Sequence, residues 1–110
     1  MQKRRMLKHY GKPCAYCRLE MGPDRLPSRD HAERPKSRRG KLTAGNKVIC
    51  CEPCNVEKRD RPIWIWAVEL EQAGDPRAGN VQAEWLRLKA IRDRRVENML
   101  REALMEAAGD

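Results

Sequence analysis

Apolar residues in the first half of the chain occur in short runs separated by basic loops. Two of these runs, residues 28–32 and 47–50, have the length and composition of β-strands. Residues 52–59 have helical character, and residues 3–10 fit a short helix that ends before glycine and proline. Residues 33–46 are interrupted by proline and glycine and fit an irregular loop. The first half therefore predicts two short strands joined by a long loop and followed by a helix.

The second half has the longer apolar period of helices. Pro62 suits the first turn of a helix, and its apolar residues recur at helical spacing until Gly74 stops it. Asn80 is the predicted N-cap of a final amphipathic helix over residues 81–108. Charged residues 92–95 interrupt the apolar stripe of that helix, so we expect it to bend or change neighbours there. The long terminal helix either folds back on the core or self-associates through its apolar stripe.

These elements predict an α+β protein. Residues 1–61 form the predicted core with a basic N-terminal arm, and residues 62–110 form an accessory segment of two helices. The three tryptophans lie in the accessory segment, where we expect them to pack in the core rather than stack on bases: Trp64, Trp66 and Trp85.

Composition limits how this chain is stabilised. Of its 110 residues, 36% are charged and only 5% are aromatic, so the chain is a poor candidate for a large core, and a metal or disulfides are expected to support the fold. The first residues contain no apolar signal core, and the longest apolar run, residues 63–68, is too short to cross a bilayer. We therefore expect a cytoplasmic protein without a membrane partner, in which thiols stay reduced.

The charge is uneven along the chain. The net charge is +8, but residues 1–61 alone have 17 Lys or Arg against 7 Asp or Glu, a balance of +10, and residues 62–110 have a balance of −2. A concentrated positive charge favours a polyanionic partner, most simply nucleic acid.

Two cysteine pairs lie in this basic half. Cys14 and Cys17 are separated by two residues, as are Cys51 and Cys54, and in a reducing compartment such pairs are typical of a tetrahedral zinc site. Four thiolates leave no open coordination position, so the zinc would be structural. Cys50 offers an alternative pairing with Cys54, but we interpret it as a buried strand residue. Lys12, Arg18 and Lys58 are the basic residues expected to favour ionised thiols.

Asp30 and His31 lie between the two cysteine pairs, and Asn55 directly follows the last cysteine. A carboxylate and an amide oxygen are suitable ligands of a hard cation, and an imidazole can take a proton from water. On a regular strand Asp30 and His31 would point to opposite faces, so convergence on one site requires a bulge or a strand end.

The order and spacing of these residues resemble the HNH nuclease family, in its four-cysteine, zinc-bearing branch. The similarity covers about residues 10–61 and rests on Cys14-Ala-Tyr-Cys17, Asp30-His31 and Asn46-Lys-Val-Ile-Cys-Cys51-Glu-Pro-Cys54-Asn55-Val-Glu-Lys58. It implies a ββα-metal (His-Me finger) core clamped by structural Zn²⁺. It also implies a hydrolase, a DNA endonuclease that depends on a divalent metal and cleaves phosphodiester bonds.

The resemblance also implies residue roles. His31 would be the general base, and Asp30 and Asn55 would bind a catalytic cation such as Mg²⁺ or Mn²⁺. Asn46 would orient the loop and the base by hydrogen bonding, and Lys58 would contact a phosphate.

Other basic side chains cluster around the predicted base and are expected to contact phosphates without reading sequence. They are Arg29, Arg34, Lys36, Arg38, Arg39 and Lys41. The expected partners are DNA and, through the C-terminal helix, a second copy of the chain or a bacterial or phage protein. The accessory segment weakly resembles that of some phage-type or bacterial HNH proteins.

Two other functions are compatible with part of this pattern. A non-catalytic zinc module that binds nucleic acid or protein shares the cysteines and the basic charge, but it has no need of Asp30, His31 or Asn55. A redox-active protein with a Cys-x2-Cys motif is less favoured, because the alternation of strands and helices expected for it is missing.

Overall fold

The structure is a computed structural model, and it describes residues 3–109; the parts of the predicted segments that fall on residues 1, 2 and 110 lie outside it. Two strands, β1 (Pro27–His31) and β2 (Lys47–Cys51), are followed by three helices, α1 (Glu52–Lys58), α2 (Ile63–Gln72) and α3 (Ala78–Gly109). Short 3₁₀ helices cover Arg4–His9, Lys36–Arg38 and Ala44–Asn46. The predicted α+β class is confirmed.

The two strands form an antiparallel hairpin, with Asp30 opposite Val48 and His31 opposite Lys47. Both begin and end within a residue of the predicted bounds. Successive side chains of a strand point to opposite faces, and on β1 Asp30 is buried whereas its neighbour His31 is half-buried. The backbone N–H of Ala32 extends the pairing by donating to the carbonyl of Asn46 at 3.0 Å.

Helix α1 begins directly after β2, without an intervening loop. Cys51 is its N-cap residue, and Pro53 stands in the first turn, where proline costs no hydrogen bond. The helix ends at Arg59, whose positive φ of 57° turns the chain away. Because strand and helix share this junction, Cys51 and Cys54 are fixed close together.

Helices α2 and α3 cover the hairpin and complete one hydrophobic core. Ile63 and Trp66 from α2 and Val81 and Leu88 from α3 belong to the same buried cluster as the cysteines. The rings of Tyr16 and Trp66 meet edge to face, with centroids 5.0 Å apart. The predicted boundary between residues 61 and 62 therefore runs through a continuous core.

Two details of the helical segment differ from the prediction. Asn80 lies inside α3, which begins at Ala78, and its side-chain amide donates to the carbonyl of Tyr16 at 2.9 Å. The preceding turn is instead stabilised by Asp75, whose carboxylate accepts from the backbone N–H of Arg77 at 2.9 Å. Trp66 is buried as expected, but Trp64 is 48% exposed because it faces away from the core on α2.

The interruption of the apolar stripe coincides with a change of surroundings, as predicted. Arg92 is the last residue of α3 whose side chain we see bound to the core: it donates to the carbonyl of Gly45 at 3.0 Å. Residues 93–109 continue the helix and are all exposed. Among residues 3–109, none of the helices has the length and apolar character needed to cross a bilayer.

Burial predicts how two leucines of α3 contribute to stability. Leu88 is 0% exposed and Leu86 is 51% exposed. We expect Leu88→Ala to lower the free energy of unfolding by about 3 kcal/mol, because it leaves a cavity, and Leu86→Ala by roughly 0.5 kcal/mol. Urea unfolding followed by circular dichroism measures both. Equal losses would contradict the packing of α3 on the core.

Candidate metal centre and basic cleft

The sulfurs of Cys14, Cys17, Cys51 and Cys54 lie within 4.8 Å of one another. The separation of Cys17 Sγ and Cys51 Sγ is 3.8 Å. Zn–S bonds of about 2.3 Å at tetrahedral angles place two sulfurs about 3.8 Å apart, whereas a disulfide needs about 2.05 Å. All five cysteines are free thiols. The four residues thus form a cluster that fits a structural zinc ion.

Backbone amides hold the first cysteine pair in place. The N–H groups of Tyr16 and Cys17 point to Cys14 Sγ at 3.3 and 3.4 Å. The turn closes when Arg18 N–H donates to the carbonyl of Cys14 at 2.9 Å, and Arg18 takes a positive φ of 67°. Such N–H···S contacts favour a thiolate over a thiol.

Two arginines contact the other cysteine pair. Arg25 Nη1 lies 3.3 Å from Cys51 Sγ, and Arg77 Nη1 lies 3.8 Å from Cys54 Sγ. Zinc with four thiolates has a net charge of about −2, which two guanidinium groups can balance. Lys58, one of the three basic residues expected near the thiols, does not fill this role, because its ammonium is turned into the interior toward Asp30.

Arg77 is itself held by several groups. Its guanidinium pairs with Asp75 and Glu57 and lies 5.3 Å from the centroid of the Trp66 ring. The hydrogen bond from Arg77 lowers the pKa of Asp75 to about 2. This arginine links α1, α2 and α3 at the edge of the cysteine cluster, a role that sequence spacing could not show.

The thiols of the cluster differ in their pKa values. The pKa of Cys14 is lowered to about 4, first by a hydrogen bond from the Cys54 thiol and then, against the effect of burial, by backbone amides. The pKa of Cys54 is raised, mainly by the same hydrogen bond. A cluster that already favours a thiolate is suited to bind a cation.

Cys50 lies outside the cluster. It is fully buried in the core, and burial raises the pKa of its thiol well above the usual range. The interpretation of Cys50 as a packed strand residue therefore agrees with the structure, and the alternative pairing with Cys54 is not formed.

The side chain of Asp30 points into the interior, away from the side chain of His31. Its Oδ2 accepts from the hydroxyl of Tyr16 at 2.6 Å and lies 3.2 Å from Nζ of Lys58. Asp30 is 2% exposed and Lys58 is 0% exposed. Burial raises the pKa of the Asp30 carboxyl even though the ammonium of Lys58 and the hydroxyl of Tyr16 act in the opposite direction. A regular strand, without a bulge, turns the carboxylate to the core.

The position of Lys58 contradicts one prediction. This lysine was expected to contact phosphate, but its ammonium donates to Asp30 Oδ1 at 3.3 Å and to the carbonyl of His31 at 3.4 Å. A fully buried side chain cannot reach a bound polyanion. The helical position of Lys58, on the face of α1 that packs against β1, explains the difference.

His31 lines an open cleft of about 660 Å³. Arg29, Lys36 and Lys41, three of the residues predicted to contact phosphate, line the same cleft. The cleft also contains Lys3 and Arg5 from the N-terminal arm, which were not predicted as site residues, and one acidic residue, Glu52. The basic composition of the arm was the signal in the sequence that could have indicated these two residues, but the fold decides that the arm lies at the cleft.

The other predicted phosphate contacts lie elsewhere. Arg34 and Arg38 line a neighbouring depression together with Glu33 and Asp60. Arg34 Nε donates to the carbonyl of Arg38 at 2.9 Å, and Arg39 is exposed with a positive φ of 62°. The structure thus divides the predicted basic cluster into two surfaces.

Asn46 fixes the loop between the strands. Its Oδ1 accepts from the backbone N–H groups of Glu33 and Arg34, each at 2.8 Å. Its Nδ2 donates to the carbonyls of Arg34 and Lys41, each at 2.9 Å. These bonds agree with the loop-orienting role that the resemblance implied; a role in catalysis stays a prediction.

Asn55 and Asp30 do not form a cation site in this arrangement. The side-chain amide of Asn55 donates to Oγ of Ser28 at 2.7 Å, and Ser28 lines the cleft. The Asp30 carboxylate is bound to Tyr16 and Lys58. The two side chains are thus engaged by different partners, and an ammonium occupies the place where a hard cation would bind the carboxylate.

Comparison of the chain with protein-family models, with curated proteins and with solved structures returned no match.

Adjacent cysteines provide a test of the metal centre. We expect Cys51→Ala to lose the bound zinc and most of the folded state, because a structural zinc site contributes folding free energy on the order of 10 kcal/mol. Cys50→Ala should keep the zinc and lose about 1 kcal/mol of stability, as for a small buried side chain. Metal content by mass spectrometry and thermal unfolding distinguish them. Equal zinc content in both variants would contradict the assignment of the ligands.

The buried ion pair provides a second test. We expect Lys58→Met to lower the free energy of unfolding by about 3–5 kcal/mol near pH 7, because it leaves a buried carboxylate without its ammonium. Adding Asp30→Asn should recover part of the loss, since the Tyr16 hydroxyl can donate to an amide oxygen.

The same pair predicts a dependence on pH. The pKa of Asp30 in the folded state is raised above its usual value. The contribution of Asp30 to the stability of the fold is therefore most favourable below the unfolded pKa of this carboxyl, and it declines as pH rises through the folded pKa. The stability difference between parent and Lys58→Met should be smaller at about pH 5 than at about pH 8, as measured by urea unfolding at each pH. A constant difference would contradict this account.

Proposed function

We propose that this protein is a DNA endonuclease of the HNH type, with a ββα-metal core in which His31 is the general base. The observation that carries the proposal is the presence of His31 in a cleft lined by basic side chains from three separate segments. The order strand, strand, helix and the four-cysteine cluster at the end of the hairpin support it.

The charge of the cleft suits a phosphodiester backbone. Lys3 and Arg5 from the arm, Arg29 from β1, and Lys36 and Lys41 from the loop surround the histidine, against one carboxylate from Glu52. Basic side chains position a duplex through its phosphates without reading base sequence. Binding is therefore expected to weaken steeply as salt rises, because bound phosphates release their counterions.

The proposed reaction is the hydrolysis of a P–O bond. His31 removes a proton from a water molecule, and the water oxygen bonds to the phosphorus of a backbone phosphate held in the cleft. The bond between that phosphorus and one sugar oxygen breaks, and the leaving oxygen takes up a proton from solvent. The arginine and lysine side chains stabilise the negative charge that develops on the phosphate oxygens. Asn46 keeps the loop that provides Lys36 and Lys41 in a fixed position.

The resemblance also implies a catalytic divalent cation such as Mg²⁺ or Mn²⁺. Binding through Asp30 would require its carboxylate to leave Lys58 and Tyr16, so we assign no step of the reaction to a cation. Assays with Mg²⁺, Mn²⁺, Ni²⁺ or EDTA measure whether such a cation is required.

A non-catalytic zinc module that binds nucleic acid is the second candidate. The observation that favours it is the engagement of Asp30 in a buried ion pair, which gives the carboxylate a structural role. This module would share the basic cleft and the salt dependence of binding, but it would not cleave DNA.

The two histidines of the chain allow a matched test. We expect His31→Ala to slow the nicking of supercoiled plasmid about 10²–10⁴-fold, as is typical for the loss of a general base. His9→Ala, outside the residues that line the cleft, should cleave like the parent. Zinc content and DNA binding should be unchanged in both variants.

Each outcome separates the candidates. Cleavage by His31→Ala at the parental rate would exclude His31 as the base. Salt-dependent DNA binding without cleavage by the parent, with any of the three cations, would support the binding module. An affinity that does not change with salt would contradict the basic cleft as the DNA-binding surface.

A further inference from the structure

The second half of α3 presents an apolar stripe to solvent. Four of its large apolar side chains are 56–70% exposed: Val96, Met99, Leu100 and Leu104. Ala103 and Ala107 lie between or beyond them at helical spacing. We define these six residues as the tail stripe. A helix of this kind gains most of its stability from the packing of its apolar face, so the tail stripe indicates a partner.

The tail stripe continues the face that packs on the core. In the first half of α3, Ala78, Val81 and Leu88 are buried against α2 and the hairpin. At 100° per residue, Val96 and Ala103 fall on the same side of the helix as these residues. Arg92 ends the buried part by its contact with Gly45. Residues 93–109 then extend about 25 Å beyond this point, so their apolar face is reachable by another molecule.

The charges along this segment are arranged in opposite blocks. Residues 92–95 contain three arginines and one aspartate, a balance of +2, and residues 102–109 contain two glutamates, a balance of −2. A parallel pair of these helices would place like charges together at both ends. At 100° per residue, Arg95 and Glu106 flank one edge of the tail stripe and Glu97 flanks the other, whereas Arg94 points away from it. An antiparallel pair centred near Leu100 therefore places Arg95 of each chain beside Glu106 of the other.

We propose that α3 pairs with α3 of a second copy of this chain, antiparallel, through the tail stripe. The helix is complementary to itself in this orientation: its apolar residues meet apolar residues, and its basic block meets its acidic block. A two-fold axis perpendicular to the helices, near Leu100, relates the two copies, as in a closed isologous dimer. The contact is short, so the dimer forms in a concentration-dependent way.

One substitution in the stripe and one outside it test the surface. In sedimentation experiments the parent should rise from 12.8 kDa toward twice this mass as concentration increases. Leu100→Asp should remain at 12.8 kDa at every concentration. Leu86→Asp, on the same helix but outside the tail stripe, should behave like the parent. A parent that stays monomeric, or Leu100→Asp that still dimerises, would overturn the proposal.

Charge reversal tests the orientation. Arg95→Glu makes the cross-helix contact between residues 95 and 106 acidic on both sides, and Glu106→Arg makes it basic on both sides. Each change alone should weaken dimerisation at least tenfold, and the two changes together should restore it. In a parallel dimer like charges would face each other in every one of these variants. Equal dimerisation by all of them would therefore overturn the antiparallel arrangement. Circular dichroism should show that the helix content is retained.

Discussion

The close approach of four sulfurs is the constraint on which the rest of this fold depends. Cys14 and Cys17 belong to a turn near the N-terminus, whereas Cys51 and Cys54 stand where β2 becomes α1. A metal bound by these sulfurs would close a long loop and fix the angle between strand and helix. Without it, the small set of buried apolar residues would have to overcome the entropy of that loop and the repulsion between thiolates.

The same junction arranges the two faces of β1. With β2 and α1 held together, α1 packs on one face of the hairpin and brings Lys58 to Asp30 in the interior. His31, the next residue along β1, lines the cleft instead. The regular alternation of a single strand thus separates a buried charge pair from an open basic surface, although the two groups come from adjacent residues.

Local patterns in the sequence predicted most of the elements. Apolar runs with flanking turn residues indicated both strands, and the spacing of the cysteines indicated the cluster of four sulfurs. The roles of long side chains were less predictable. Lys58 and Arg77 can each extend in several directions, and only the packing of α1, α2 and α3 decides that one pairs with Asp30 and the other lies beside Cys54. Trp64 shows the same limit, because its exposure depends on which face of α2 meets the core.

The ion pair between Asp30 and Lys58 has a consequence for how related sequences can diverge. A neutral residue at either position leaves its partner as an isolated charge in the interior, so a stepwise exchange passes through a poorly folded intermediate. We therefore expect these two positions to covary during evolution and to be retained or replaced together. Because Asp30 adjoins His31, that covariation would hold the backbone of the cleft constant while the arginines and lysines around it diversify.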